Sequence, residues 1–362
     1  AGGRRSWSDE SRGALPPWES VPGKQHARGR EDPGPVQVWH DVAEIAPAVD
    51  STVVTIGNFD GVHLGHRHVI QRSHELAADL GGIPVVAVTF EPHPLSVIVP
   101  DKAPQSLTSL DRRLELLDGA GVDAVLVVSF TPDFARMSAE EFVTALVLGR
   151  LRAAGVVVGE NFHFGHRALG NVDLLRSLCA GRGVTVVSLP VDGSSGAGGQ
   201  AWSSSYVRSR LAVGDAAAAA RALGRPYAVR GEVVRGDQRG RELGYPTANV
   251  PVATSRTAVP ADGVYAGWLR RLDETDAPYL PAAISVGTNP TFDGTDRRVE
   301  AYVLDRTDLE LYDVLVEIAF ADNLRGQVKF DSVDALVEQM KDDVDRARDL
   351  LTHPPSGAPA GG

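Results

Sequence analysis

Two histidines three residues apart, His63 and His66, bracket Gly65 in the string Gly57-Asn58-Phe59-Asp60-Gly61-Val62-His63-Leu64-Gly65-His66. The string follows a β-branched run, Thr52 to Ile56, and opens a stretch of helical apolar spacing. It therefore sits where a strand hands over to a helix N-terminus, a place that attracts anions. At this spacing both imidazoles can face one way, and Gly65 leaves room for a ligand to come close. Imidazole N–H groups and unpaired helix amides can together grip a polyphosphate; the alternative is a histidine pair satisfied by neighbouring backbone. Seven of the ten histidines, at 63, 66, 68, 74, 93, 163 and 166, lie between 63 and 166, so zinc has to be weighed. The helix lacks a His-Glu-x-x-His arrangement and the chain has one cysteine, which argues against a zinc site. A second string, Gly244-Tyr245-Pro246-Thr247-Ala248-Asn249, lies a domain's length further on and by composition alone is a turn followed by a short strand.

The elements that must position these residues change character along the chain. Thr52-Ile56, Pro84-Phe90, Ala124-Phe130, Gly155-Gly159 and Val184-Leu189 read as buried strands. Between them Leu64-Leu80, Leu110-Gly119, Ser138-Leu151 and Val172-Gly181 carry helical spacing, with Ser138 and Glu141 forming a capping-box start. Strands alternating with helices predict a parallel, Rossmann-like sheet covered on both faces, with ligands at the carboxyl ends of its strands. A serine cluster and Arg208 follow at Trp202 to Leu211, and Asp215 to Leu223 reads as a closing helix, which places the boundary near Gly224. The Gly/Ser-rich stretch 192–201 has linker composition but precedes that boundary. From Arg225 short β-rich segments predict a small antiparallel barrel or sandwich, at Tyr227-Val234, Gly263-Leu269, Ala282-Val286, Val299-Leu304 and Val314-Phe320, and Ser332 to Leu351 predicts one long amphipathic helix. The expected organisation is a disordered extension at 1–34, a nucleotide-handling domain at 35–223, a barrel domain at 224–352 and a disordered tail at 353–362.

With 362 residues, 43% of them apolar, the chain can bury two ordinary cores. Its formal charge of −11 argues against nucleic acid or an anionic membrane as partner. The lone Cys179 excludes an internal disulfide and a multi-thiolate metal site, and suits a small buried apolar position in a reducing cytoplasm. No apolar stretch is long enough to span a bilayer, and the Gly-, Pro- and Arg-rich start lacks a signal sequence's hydrophobic run.

Taken with Phe90-Glu91-Pro92-His93-Pro94, Gly159-Glu160-Asn161-Phe162-His163-Phe164-Gly165 and Ser204-Ser205-Tyr206-Val207-Arg208, the first string resembles the nucleotidyltransferase half of bacterial bifunctional riboflavin kinase/FAD synthetase, in that family's order. Gly240-Arg241-Glu242-Leu243 running into the Pro-Thr-Ala-Asn element resembles its riboflavin kinase half. The resemblance spans about Val36 to Leu351. It implies ATP contacts for Phe59, His63, Gly65, His66 and Asn161, with Ser204, Ser205 and Arg208 closing over the phosphates. Ser205 stands where the family commonly has threonine, and the hydroxyl is kept. In the rear half it implies ATP binding at Gly244, Thr247 and Asn249, with Mg2+ held by Thr247 and Asn249. Glu300 would be the general base, although its period equally suits an exposed strand carboxylate. Arg325 would neighbour the flavin. The family usually has glycine where this chain has Asp313. The implied substrates are riboflavin, FMN and ATP.

A Walker loop is absent, since the only Gly-Lys pair, Gly23-Lys24, is followed by Gln25. His-x-Gly-His also occurs in class I aminoacyl-tRNA synthetases, but a chain this acidic without a tRNA-binding domain argues against one. Two other readings compete: only one live module, adenylyltransferase or kinase, or a flavin-binding protein without catalysis.

Overall fold

The computed structural model describes residues 36–45, 50–190, 202–236, 244–252, 257–291 and 294–352, with side chains left undescribed over 289–296. The expected extension 1–34, tail 353–362 and linker-like stretch 192–201 lie outside these residues, as does Gly240-Leu243. Backbone contacts divide the chain into two compact units. The described part of one is 36–209 with 257–258; that of the other is the remainder after Ser209.

The first unit is built on six parallel strands, β1 (Gln37–Trp39), β2 (Thr52–Ile56), β3 (Val85–Glu91), β4 (Ala124–Ser129), β5 (Ala153–Gly159) and β6 (Thr185–Leu189), in the order β1-β4-β3-β2-β5-β6. The β-branched residues alternate between two buried faces. Val53, Val85, Ala87 and Val127 pack with Ile70, Leu76 and Leu117, whereas Val54, Ile56, Val86 and Val88 pack with Phe142, Val143 and Leu175. Helices α1 (Leu64–Asp79) and α3 (Leu110–Gly119) supply the first group. The other face is covered by α5 (Val172–Cys179) and by α4 (Ala139–Glu141), which continues as the π-helical segment Phe142–Arg150. Short α2 (Pro94–Ile98) follows β3. The capping box at Ser138 and Glu141 is formed. The helix expected over Ser138-Leu151 is α-helical only at its start; Leu151 N–H then reaches back five residues to the Leu146 carbonyl at 2.9 Å. That wider turn suits the adjacent buried pairs Phe142/Val143 and Leu146/Val147. β1, three residues at the sheet edge beside β4, had no pattern to betray it. Cys179 is buried, and desolvation pushes its thiol up, so it is a packing residue.

β3 and β5 flank β2 on opposite sides, and the chain order reverses there. In doubly wound sheets the crevice at such a reversal is where ligands bind. β2 runs into the first histidine string, and β5 runs into Asn161.

The second unit has six antiparallel strands, β7 (Tyr227–Glu232), β8 (Thr247–Pro251), β9 (Gly263–Arg271), β10 (Leu280–Thr291), β11 (Gly294–Val303) and β12 (Leu315–Arg325), ordered β7-β12-β9-β10-β11-β8. The sheet curls until its edges meet at the Val234–Asn249 bridge, where Val234 N–H donates to the Asn249 carbonyl at 2.9 Å. After α6 (Ser204–Ala212), the alanine-rich α7 (Ala216–Leu223) packs on β12 and β7. Helix α8 (Val333–Leu350), capped by Ser332, lays Val344 and Ala347 on Val264, Ala266, Trp268 and Ala319. Among the described residues no helix is long and apolar enough to cross a membrane.

Asp313 takes a left-handed conformation, φ 61°, while its N–H donates to the Val233 carbonyl at 2.9 Å. Aspartate tolerates this region at a cost that glycine avoids. Asp313→Gly is expected to stabilise this unit by roughly 0.5–1 kcal/mol, read as a higher denaturation midpoint with unchanged slope.

Candidate active sites

In the first string the backbone is forced into unusual conformations before α1 begins. Phe59 and Val62 have φ of 48° and 39°, with Gly61 at 81° between them. A β-branched residue in this region is strained and persists only where its surroundings hold it. Here Phe59 and Val62 are almost wholly buried. Asp60, 2% exposed, is the fastener: its carboxylate accepts from Leu107 N–H at 2.8 and 3.0 Å, from Thr108 N–H at 3.2 Å, and from the Arg208 guanidinium. Its carbonyl accepts from Ser204 Oγ at 2.8 Å.

His63 caps α1, its Nδ1 accepting from His66 N–H at 3.3 Å, which leaves its ring proton on Nε2. The two imidazoles stack, centroids 3.7 Å apart at 22°, and Phe59 meets His66 edge-on at 5.1 Å. The buried Nδ1 of His66 has no hydrogen-bond partner among the described residues. Desolvation first, then the neighbouring His63 and Arg113, hold the His66 imidazole well below its ordinary 6.5. The His66 ring is therefore neutral at neutral pH. His93 Nδ1 caps Leu95 at 3.2 Å and its Nε2 faces the Asn58 amide at 3.3 Å. Its proton affinity is lowered by desolvation and by Arg208 and Arg113, against the pull of Asp60.

A cavity of about 270 Å³ opens here, lined by Phe59, His63, Gly65, His66 and Asn161, with Trp202 and Ser203 among its other walls. A Cβ on Gly65 would lie 3.1 Å from the His63 ring and 3.3 Å from the Trp202 carbonyl, so glycine keeps this wall thin. Ser204, Ser205 and Arg208 sit on α6 and are not among the lining residues. Ser204 and Arg208 are bonded to Asp60, Arg208 also donates from Nε to the Gln105 carbonyl at 2.7 Å, and Ser205 is exposed.

In the second unit a cavity of about 480 Å³ is lined by Gly236, Gly244, Thr247, Asn249, Arg306 and Tyr312, among others. The Asn249 amide donates to the Thr247 carbonyl at 3.1 Å and to its hydroxyl at 3.2 Å, leaving Oδ1 as its remaining oxygen. A Cβ on Gly236 would fall 2.6 Å from that oxygen, so only glycine lets the chain lie against it. Glu300 is not a lining residue of this cavity, but it pairs directly across the β8–β11 ladder with Asn249. Directly opposed residues on paired strands share a face. On its other side Glu300 faces Ser285 of β10, whose Oγ accepts from Gln327 Nε2 at 3.3 Å. Arg325 is held by Asp343 of α8 through contacts of 2.7 and 3.0 Å and lies 5.6 Å from the Phe330 ring centre; it does not line the cavity.

Asp60, Arg113, Trp202 and Gly236 were not singled out from the sequence. Only the Asp60 position inside the first string could have flagged one of them, since the others acquire their neighbours by folding. Among the described residues no three His, Cys, Asp or Glu side chains are grouped to hold a metal.

The FAD synthetase family model matches residues 46–203 and the riboflavin kinase model residues 223–351. A bifunctional riboflavin kinase/FMN adenylyltransferase of Escherichia coli K12 is 38% identical over 84% of this chain and 95% of its own length. One from Pseudomonas fluorescens is 36% identical over 87% and 98%. A solved structure named as a macrolide-efflux protein from Streptococcus pneumoniae superposes with a TM-score of 0.75 at 32% identity, covering 86% of this chain and 98% of that one. With both family models matched in order and curated relatives aligned over nearly their whole length, the chain belongs to the bifunctional riboflavin kinase/FMN adenylyltransferase family.

Proposed function

We propose that the histidine-lined cavity is the FMN adenylylation site and that the Thr247–Asn249 cavity, with Glu300, is the riboflavin phosphorylation site. The chain converts riboflavin and ATP to FMN and ADP, then FMN and ATP to FAD and pyrophosphate. The observation that carries the assignment is the coincidence of each motif with a separate cavity, one at the reversal of a parallel sheet and one at the closing seam of a barrel. We take 35–223 as the adenylyltransferase module and 224–352 as the kinase module.

In the first site the nucleophile is an FMN phosphate oxygen, already anionic at neutral pH. It forms a bond to the α-phosphorus of ATP as the bond to pyrophosphate breaks, so no side chain need take a proton. The site must align two anions and stabilise the departing one. His63 Nε2–H and the His66 ring do so by hydrogen bonding and the start of α1 by its dipole. Arg208, with Ser204 and Ser205, completes the phosphate grip by leaving its bonds to Asp60 and Gln105.

The second site faces a neutral alcohol, the ribityl 5′-hydroxyl, which needs a base. Glu300 accepts that proton as the oxygen bonds to the γ-phosphorus and ADP leaves. Gln327, two residues after Arg325, reaches the Glu300 row through Ser285, which supports Arg325 as a neighbour of the flavin. Thr247 and Asn249 are neutral hard-oxygen donors of the kind Mg2+ accepts when phosphates complete its shell. When bound there, Mg2+ would neutralise phosphate charge, with Thr247, Asn249 and Gly244 orienting the nucleotide. The enzyme acts on small molecules without nucleic acid, in the cytoplasm.

Incubating the protein with riboflavin, ATP and MgCl2 and separating the flavins is the direct test. FAD is expected; FMN alone would leave only the kinase, and unchanged riboflavin would leave a binder.

A further inference from the structure

Helix α3 buries Arg113 on the same face as Leu116 and Leu117, leaving it 3% exposed. Burying a guanidinium is costly unless it is well paired. Its one carboxylate contact, Glu91 at 3.4 Å, is to a half-exposed side chain, and its Nε has no hydrogen-bond partner among the described residues. The better bonds are to the carboxyl end of β3. Nη1 donates to the Phe90 carbonyl at 3.1 Å and to Thr89 Oγ1 at 3.3 Å. The Thr89 hydroxyl, itself fully buried, spends its proton on the Asn58 carbonyl at 3.1 Å. Asn58 opens the strained turn that ends at His63, and its amide faces His93.

We propose that Arg113 is a positioning residue for adenylyl transfer: through Thr89 it fixes the Asn58 carbonyl, and with it the turn that carries His63 and His66. Thr89 Oγ1 has two lone pairs and one proton. With Arg113 donating to one lone pair, the hydroxyl proton is steered toward the Asn58 carbonyl. With Phe59 and the β-branched Val62 both at positive φ, the turn has little in its own conformational preferences to hold it; Asp60 fastens its middle and the Asn58 carbonyl its entry, and these anchors decide where the imidazoles stand. The guanidinium also lies close enough to oppose protonation of both His66, which otherwise faces His63 and Phe59, and His93, which faces Asn58, Asp60 and Arg208.

This inference rests on the histidine-lined cavity being the adenylylation site. Steady-state kinetics of FAD formation from FMN, with riboflavin phosphorylation by the same chain measured alongside, test it. Misplacement of aligned groups by an ångström costs on the order of 100-fold. Arg113→Met is therefore expected to lower kcat for FAD formation by roughly 10- to 100-fold, with KM for FMN and ATP moved less than about threefold and FMN formation unchanged. Arg113→Lys should restore most of the loss. Thr89→Val, which removes the link without burying or exposing a charge, should lower kcat in the same way. The double variant should be no worse than Arg113→Met, because both act through one contact. An Arg113→Met enzyme within about twofold of the parent kcat, or one whose loss lies in KM or tracks the unfolded fraction by circular dichroism, would overturn the proposal. Should Arg113→Met fail to fold, Thr89→Val decides alone, and an unchanged kcat there is equally fatal. His66→Ala separates the underlying assignment: if it leaves FAD formation intact, the site itself is wrong, whereas a defective His66→Ala beside a normal Arg113→Met refutes only the role of Arg113.

Discussion

Glu300→Ala is expected to abolish FMN formation while FMN-to-FAD conversion stays near the parent rate. A positioned base contributes about 10²–10⁴-fold, and at this site nothing else is assigned to take the hydroxyl proton. Glu300 stands opposite Asn249 on β8 and Ser285 on β10, so the truncation leaves the metal-type donors and the ladder in place. The loss should therefore fall on kcat, with ATP affinity little changed. Supplying riboflavin and then FMN to the same preparation, each with ATP and MgCl2, separates the two outcomes. Loss of both activities would contradict independent sites.

His66→Ala should do the reverse. One hydrogen-bond donor aimed at developing phosphate charge is worth about 10²–10³-fold in turnover. His66 also stacks on His63 and takes Phe59 edge-on, so the variant loosens its partner as well. FMN formation is expected to be untouched. The same residue predicts a pH dependence of stability. In the folded chain His66 stays neutral below its ordinary 6.5, whereas the unfolded chain takes up a proton there. The unfolded state binds more protons, so stability rises with pH across this range. The contribution is fully present above about pH 6.5 and is lost as pH falls below it toward the folded-state value. His66→Asn should flatten that acid decline, measured as melting temperature between pH 7 and pH 5; an equally steep decline would refute it.

Much of the architecture was readable because its signals are local. The β2 to β5 runs are rich in β-branched residues and largely buried, which gives apolar continuity rather than alternation, while the edge strand β6 is only half-buried, and α1 and α3 show helical spacing beside them. The π-helical segment reads as α-helix in the sequence because the two differ by one residue in hydrogen-bond reach, below what apolar spacing over a dozen residues resolves. β1 is too short to carry a pattern at all. Arg325 illustrates a different limit. The resemblance makes it a neighbour of the flavin, but nothing local in the sequence shows that it also meets Asp343, on a helix 18 residues later, through a bidentate pair that ties β12 to α8.

By itself the sequence placed paired imidazoles at a strand-to-helix turn, because residue type and short spacing are covalent facts; the threonine–asparagine oxygen pair and the strand glutamate stood out only through the family resemblance. Tertiary structure alone decided how those groups are held and which stand together. Asp60 meets Arg208 across 148 residues, Arg113 reaches Thr89 from another element, and Glu300 finds Asn249 only through the β8–β11 register. Register, and the burial that makes a charge costly to leave unpaired, are properties of the packed chain, so no local reading of the residues contains them.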